Sequence, residues 1–190
     1  MNHNPHGRNT MSHGDIETLV DIVRLVDEIG GNLKVAPFDN LLEPAGEMTE
    51  FCIGSPGSNQ RTQVHMENFL KGVRFNPYTP DEPDNLAIIE NNNKFLYEKF
   101  ESEYALLAKF YPNPDAQPVI LISGQSARGN QGAIYYLIKH YDGLLNTKFG
   151  RTKHFCLVLK LRSPLTYGHK SVQLVKDITA SAFTAPSTRP

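Results

Sequence analysis

The chain has 190 residues, 39% of them hydrophobic, and a mean hydropathy of −0.39, the size and balance of one soluble globular domain with a full core. Nineteen Lys and Arg against twenty Asp and Glu give a formal net charge of −1, so there is no basic excess to neutralise a phosphate backbone, and nucleic-acid binding is not expected. No apolar run reaches the roughly 18 residues that a membrane span needs, and residues 1–15 are polar and lack the apolar stretch of a secretory signal.

Residues 1–14 read as a flexible segment, 15–183 as a single domain and 184–190 as a loose tail. Residues 15–29 predict an amphipathic helix: Ile16, Leu19, Val20, Val23, Val26 and Ile29 recur at three- and four-residue spacing, with Ser12 or Asp15 as a cap and Gly30-Gly31 as the stop. A short strand is expected over 33–37, with Leu41-Leu42 nearby. Residues 50–54 (EFCIG) predict a buried strand that runs through Ser55-Pro56-Gly57-Ser58-Asn59 into a helix over 60–72.

Residues 86–90 and 95–99 flank an Asn-rich turn and read as a hairpin. Residues 104–111 and 119–123 (VILIS) predict strands, and a helix is expected over 132–146. Residues 154–161 (HFCLVLKL) predict another strand, and 171–183 is weakly β-like. Apolar strands without alternation, joined by helices, imply an α/β fold: a Rossmann-like, largely parallel sheet of about six or seven strands, with helices on both faces and the hairpin at its edge. Cys52 and Cys156 each sit in an apolar run and read as reduced core thiols, with a disulfide or a metal pair as the alternatives. These features together suggest a cytoplasmic protein.

Ligands of open parallel sheets bind outside the carboxyl ends of the strands. Two strand-to-helix loops are therefore the candidates. The first is 54–62, where Gly54 and Gly57 permit close backbone approach, Ser55, Ser58, Asn59 and Thr62 offer polar groups, and Arg61 adds a positive charge. It reads either as a phosphate or ribose cradle or as a tight turn with an Asn cap. The second is 124–132, which follows VILIS and carries Gly124, Gln125, Ser126, Arg128, Gly129 and Asn130. Its glycine spacing imitates a P-loop, but Asn130 and Gln131 stand where Lys and Ser or Thr would hold phosphates and Mg²⁺. ATPase or GTPase chemistry of that type is excluded, and Arg128 is left as the best anion contact.

His65, His140, His154 and His169 have no metal-type spacing with Cys or carboxylates, so no metal and no cofactor are expected. No nucleophile elbow is present. An enzyme breaking an N-glycosidic bond needs a carboxylate in its pocket. Glu47, Glu50, Glu67 and Glu90 come into question, but none pairs with a second carboxylate at telling spacing. Arg8, Asn9 and Thr10 could fold over the pocket or belong to a free tail.

The segments ETLVDIVRLVDEIGG, FCIGSPGSNQRT, YALLAKF-YPNP and VILISGQSARGNQGAIYYL, spanning roughly 8–161, resemble small Rossmann-like domains of bacterial regulatory and conflict-system proteins. They are also similar to the wider set that includes nucleoside deoxyribosyltransferase-like and TIR-like domains. The resemblance implies recognition, or cleavage, of a nucleotide or nucleotide-derived signal, through Gly54, Pro56, Asn59 and Thr62 in the first loop and Gly124, Gly129 and Gly132 in the second. The leading expectation is a sensor or regulatory domain for a nucleotide-like ligand. The alternatives are an N-glycosidase and a protein-interaction module, and the sequence is compatible with a homo-oligomer.

Overall fold

Ser12 caps the first helix. In the computed structural model, which describes residues 12–36, 44–146 and 154–185, its hydroxyl accepts the Asp15 N–H at 3.2 Å and donates to the Asp15 carboxylate at 2.8 Å. The first helix, α1 (His13–Glu28), therefore starts earlier than expected and takes in His13 and Gly14. The rest of the expected flexible segment, with Arg8, Asn9 and Thr10, lies outside the described residues, as do 186–190. The face that α1 buries is Thr18, Ile22, Leu25 and Val26. Ile16, Val20, Val23 and Ile29 are exposed. The helix carries two apolar stripes, and only one meets the sheet side.

The elements that follow are β1 (Glu50–Ile53), α2 (Gln60–Phe69), β2 (Val73–Phe75), β3 (Ile88–Glu90), β4 (Asn93–Phe95), β5 (Ser102–Phe110) and β6 (Val119–Gly124). Then come α3 (Ala127–Lys139), α4 (Tyr141–Asn146), β7 (Phe155–Arg162), α5 (Pro164–Tyr167), a 3-10 turn (His169–Ser171), β8 (Val172–Asp177) and α6 (Thr179–Ala182). The expected strand over 33–37 is absent from 33–36, and Leu41-Leu42 lie outside the described residues. The helix expected over 132–146 starts earlier and breaks at His140, which caps α3.

The fold is α/β, but the sheet is not the largely parallel Rossmann-like one. Five strands run in the order β1-β6-β5-β7-β8. Only β1 and β6 are parallel, and β6-β5, β5-β7 and β7-β8 are antiparallel. The hairpin is present, but its second strand is Asn93–Phe95 rather than 95–99, and it does not edge this sheet. It pairs with β2 in a separate three-stranded antiparallel sheet, β2-β3-β4. Two physical reasons account for the difference. Residues 111–118 between β5 and β6 contain no helix, and a parallel return needs a crossover of about a dozen residues or more. The unbroken apolar runs report burial on both faces rather than strand direction. In β5, Leu106, Ala108 and Phe110 enter one core and Ala105 and Leu107 the other.

Those two cores lie on opposite faces of the sheet. One joins α1 and α3 through Ile22, Leu25, Ala133, Ile134 and Leu137. The other joins α2, α6 and the small sheet through Met66, Leu70, Ala182, Val73 and Ile88. Cys52 and Cys156 are both buried and free, as the core-thiol reading expects. Among the described residues no helix is long and apolar enough to cross a membrane.

Candidate functional site

The two candidate loops emerge side by side. Because β1 and β6 are parallel neighbours, with Ile53 opposite Ile122, their carboxyl ends share one edge. The Gly54 N–H donates to the Ile122 carbonyl at 2.9 Å. From there the chains part: α2 packs on one face of the sheet and α3 on the other. Divergence of adjacent parallel strands to opposite faces is the geometry at which open α/β sheets bind ligands.

In the first loop Gly54 has φ +112°, and a Cβ there would lie 2.9 Å from the Ser58 hydroxyl, so glycine is required. Ser55 and Ser58 bond to each other. Asn59 caps α2: its Oδ1 accepts the N–H groups of Arg61 and Thr62 at 2.9 and 3.2 Å, and its Nδ2 donates to the Ile53 carbonyl at 2.9 Å. Thr62 is fully buried, and its hydroxyl has no hydrogen-bond partner. Of the polar groups expected here, Ser58 is exposed, Ser55, Asn59 and Arg61 are partly buried and Thr62 is buried; Gly57 is exposed. Arg61 turns back along the helix to Glu50, away from the loop.

The second loop is much shorter than expected. Gly124 ends β6, and only Gln125 and Ser126 precede α3, so Arg128, Gly129 and Asn130 belong to its first turn. Ser126 is the cap. Its Oγ accepts the N–H groups of Arg128 and Gly129 at 3.1 and 3.3 Å and donates to the Glu103 carboxylate. A Cβ on Gly129 would sit 2.9 Å from the Gly124 Cα, so the helix head lies directly on the strand end. Gln125 is buried; its Oε1 accepts the Tyr104 N–H at 2.7 Å, and its Nε2 donates to the carbonyls of Leu86 and Phe95 at 3.0 and 2.8 Å. Asn130 is likewise buried between Gly124 and Asp15.

The caps thus take up the N–H groups of residues 61, 62, 128 and 129, which an anion cradle would have used. Arg128 is what remains at the rim: its side chain is 36% exposed, and one Nη lies 3.4 Å from Glu103, whose side chain is 2% exposed. Sequence reasoning passed over Glu103. A parallel β5 would begin at the far edge of the sheet, whereas the antiparallel strand begins beside the end of β6. Tyr97 shares this neighbourhood. Burial, and then the Glu103 charge, push its phenol above the ordinary range, with Arg128 opposing.

The other carboxylates lie elsewhere. Glu47 is exposed, and Glu67 accepts from Gln63 on the surface of α2. Glu90 is buried in a complete network with Lys176, Ser181, Asn91 and Asn93, which ties the small sheet to β8 and α6. Glu50 starts β1, at the end away from the loops. Its carboxylate meets Arg61 Nε at 2.7 Å, Cys52 Sγ at 3.0 Å and His65 Nε2 at 3.1 Å. Burial alone would raise the Glu50 pKa, but hydrogen bonds from His65, Arg61 and Cys52 outweigh it and hold the carboxyl well below the usual range. Burial, and then the Glu50 charge, push the Cys52 thiol up. Sequence spacing gave no metal-ligating set, yet Glu50, Cys52 and His65 bring three donor atoms within 4.8 Å of one another.

Comparison of the chain with protein-family models, curated proteins and solved structures finds no match.

Proposed function

We propose that the chain binds a nucleotide-like, anionic small molecule at the carboxyl ends of β1 and β6. One observation carries this reading: a half-exposed guanidinium, Arg128, stands 3.4 Å from a buried carboxylate, Glu103, where the two helices diverge. That separation exceeds the roughly 2.7–2.9 Å of a tight charge-assisted bond, so Arg128 is loosely held and can turn to a ligand anion. Glu103 would then accept from a ligand hydroxyl, as acidic residues at such strand ends do from a ribose. Ser55 and Ser58 supply further donors from the first loop.

The test is thermal denaturation of the wild type and Arg128→Ala with nucleoside monophosphates, diphosphates and dinucleotides. A ligand at about 100 times its Kd stabilises by about 2.7 kcal/mol. The expected result is stabilisation of the wild type that Arg128→Ala loses. The reading fails if no nucleotide shifts the wild-type transition.

Glu103 also favours a second reading, cleavage of an N-glycosidic bond, because a carboxylate beside the bound sugar is the group that such chemistry needs. Chromatography for free base released from nucleosides, nucleotides or NAD tests it. Release by the wild type and its loss in Glu103→Gln are expected; wild type that releases no base rules this reading out.

A further inference from the structure

Below the first loop lies a polar cluster that the proposed ligand site does not use. Glu50 and Cys52 are two residues apart on β1 and share a face. Arg61 and His65 are four apart on α2 and share one too. Packing α2 on β1 closes the four into one buried group, with Cys52 3% and His65 1% exposed.

The group converges on a single oxygen. Glu50 Oε1 meets the Cys52 thiol at 3.0 Å, His65 Nε2 at 3.1 Å and Arg61 Nε at 2.7 Å, while Oε2 receives Arg61 Nη2 at 2.9 Å. A carboxylate oxygen has two lone pairs, so three partners on Oε1 crowd it. Sulfur, imidazole nitrogen and carboxylate oxygen facing one point are the donor set of a zinc site, in which they stand about 2.3, 2.0 and 2.1 Å from the metal. Ligating carboxylates are oriented in turn by an outer hydrogen bond, and Arg61 on Oε2 supplies it. The side chains of Glu50 and Arg61 are 12% and 19% exposed, which leaves an ion a route in.

We propose that Glu50, Cys52 and His65 bind a thiophilic divalent cation of the zinc class, with three protein ligands and one open position. On binding, the Cys52 thiol gives its proton to solvent and coordinates as thiolate, and His65 coordinates as neutral imidazole through Nε2. The ion joins β1 to α2 on the face of the sheet that α2 covers.

Titrating the metal-stripped 190-residue chain with Co²⁺ tests this. The expected result is about one equivalent bound per chain, a thiolate-to-cobalt charge-transfer band, the intense visible bands of tetrahedral cobalt, and displacement by Zn²⁺. The thiolate band separates this site from binding by His3, His6 and His13, which carry no sulfur. Cys52→Ser is expected to remove the band and Cys156→Ser to keep it. Arg61→Ala is expected to weaken cobalt binding about 10- to 100-fold. The proposal is overturned if saturating cobalt gives the wild type no thiolate band, or if the band survives Cys52→Ser. The wild-type titration reads out whether or not any variant folds.

Discussion

Asn130 Nδ2 donates to Asp15 Oδ1 at 2.8 Å across 115 residues of sequence, and Asn130 Oδ1 accepts the Gly124 N–H at 2.6 Å. One buried amide therefore holds the start of α1, the start of α3 and the end of β6 together. Gln131, the next residue, donates to Glu17 and repeats the tie at the surface. The amides at the place where a P-loop would carry its Lys and Ser or Thr are spent on joining helices.

Asn130→Ala leaves the Gly124 N–H buried without an acceptor and removes the bond to Asp15. A loss of about 3 kcal/mol in urea denaturation is expected. Asn130→Asp keeps the acceptor but sets a carboxylate against Asp15. Adding Asp15→Asn restores a donor across the pair, so the double variant is expected to be more stable than Asn130→Asp alone. Equal stability of the two would show that the contact does not hold the helix heads together.

Gln125 is the corresponding tie for the small sheet, bonding the Leu86 and Phe95 carbonyls on one side and the Tyr104 N–H on the other. Gln125→Ala is expected to speed amide exchange in β3 and β4 well before β5 and β7, because local opening follows lost anchoring. Uniform loss of protection across both sheets would count against a separable small sheet.

How much of this was legible in the sequence depended on whether a local pattern was enough. The Asn59 cap, the hairpin turn at Asn91 and the buried strands β1, β6 and β7 all follow from local residue chemistry, whereas the neighbouring positions of the two loops rest on the parallel pairing of β1 with β6. Strand direction does not, because Leu106 and Leu107 look the same in a parallel or an antiparallel strand buried on both faces. Glu103 was missed for that reason. The Glu50–Cys52–His65 cluster was missed because its spacing combines a strand period of two with a helix period of four across two elements, which no contiguous ligand motif reproduces.

Arg128→Ala removes a partner from Glu103, which stays buried with the Ser126 hydroxyl. An unpaired buried charge destabilises, but Arg128 is partly exposed and water softens the loss. A decrease of about 1 kcal/mol is expected by urea denaturation. Glu103→Gln in the same chain removes the unbalanced charge and is expected to recover most of it. If the double variant is less stable than Arg128→Ala by the full effect of Glu103→Gln alone, the two residues are not coupled.

In the first loop two glycines separate architecture from binding. Gly54→Ala places a side chain at φ +112° and against Ser58, with an expected loss of about 1–3 kcal/mol. A Cβ at Gly57 meets nothing within 4 Å, so Gly57→Ala is expected to change stability by less than about 0.5 kcal/mol. Calorimetric titration of Gly57→Ala with any nucleotide that stabilises the wild type then reports on the loop alone. Weaker binding is expected, and unchanged affinity would place the ligand away from this loop.

Glu50 predicts the acid limb of the stability curve. Although burial works against its ionised form, hydrogen bonds from His65, Arg61 and Cys52 hold its folded pKa below the ordinary 4.5. Below that value the unfolded chain takes up a proton that the folded chain refuses, so stability falls as pH falls. The contribution is fully present above 4.5 and is lost progressively on the way down to the folded pKa. Glu90 and Asp84, also held low by their lysine partners against the effect of burial, titrate in the same direction. Glu50→Gln cannot lose this term on acidification. In chelator-treated buffer it is expected to be less stable than wild type at about pH 7, by a gap that narrows as pH falls from 4.5 to about pH 3. A gap between the two urea midpoints that stays constant over that range would mean that the carboxylate is not what Arg61 and His65 stabilise in the fold.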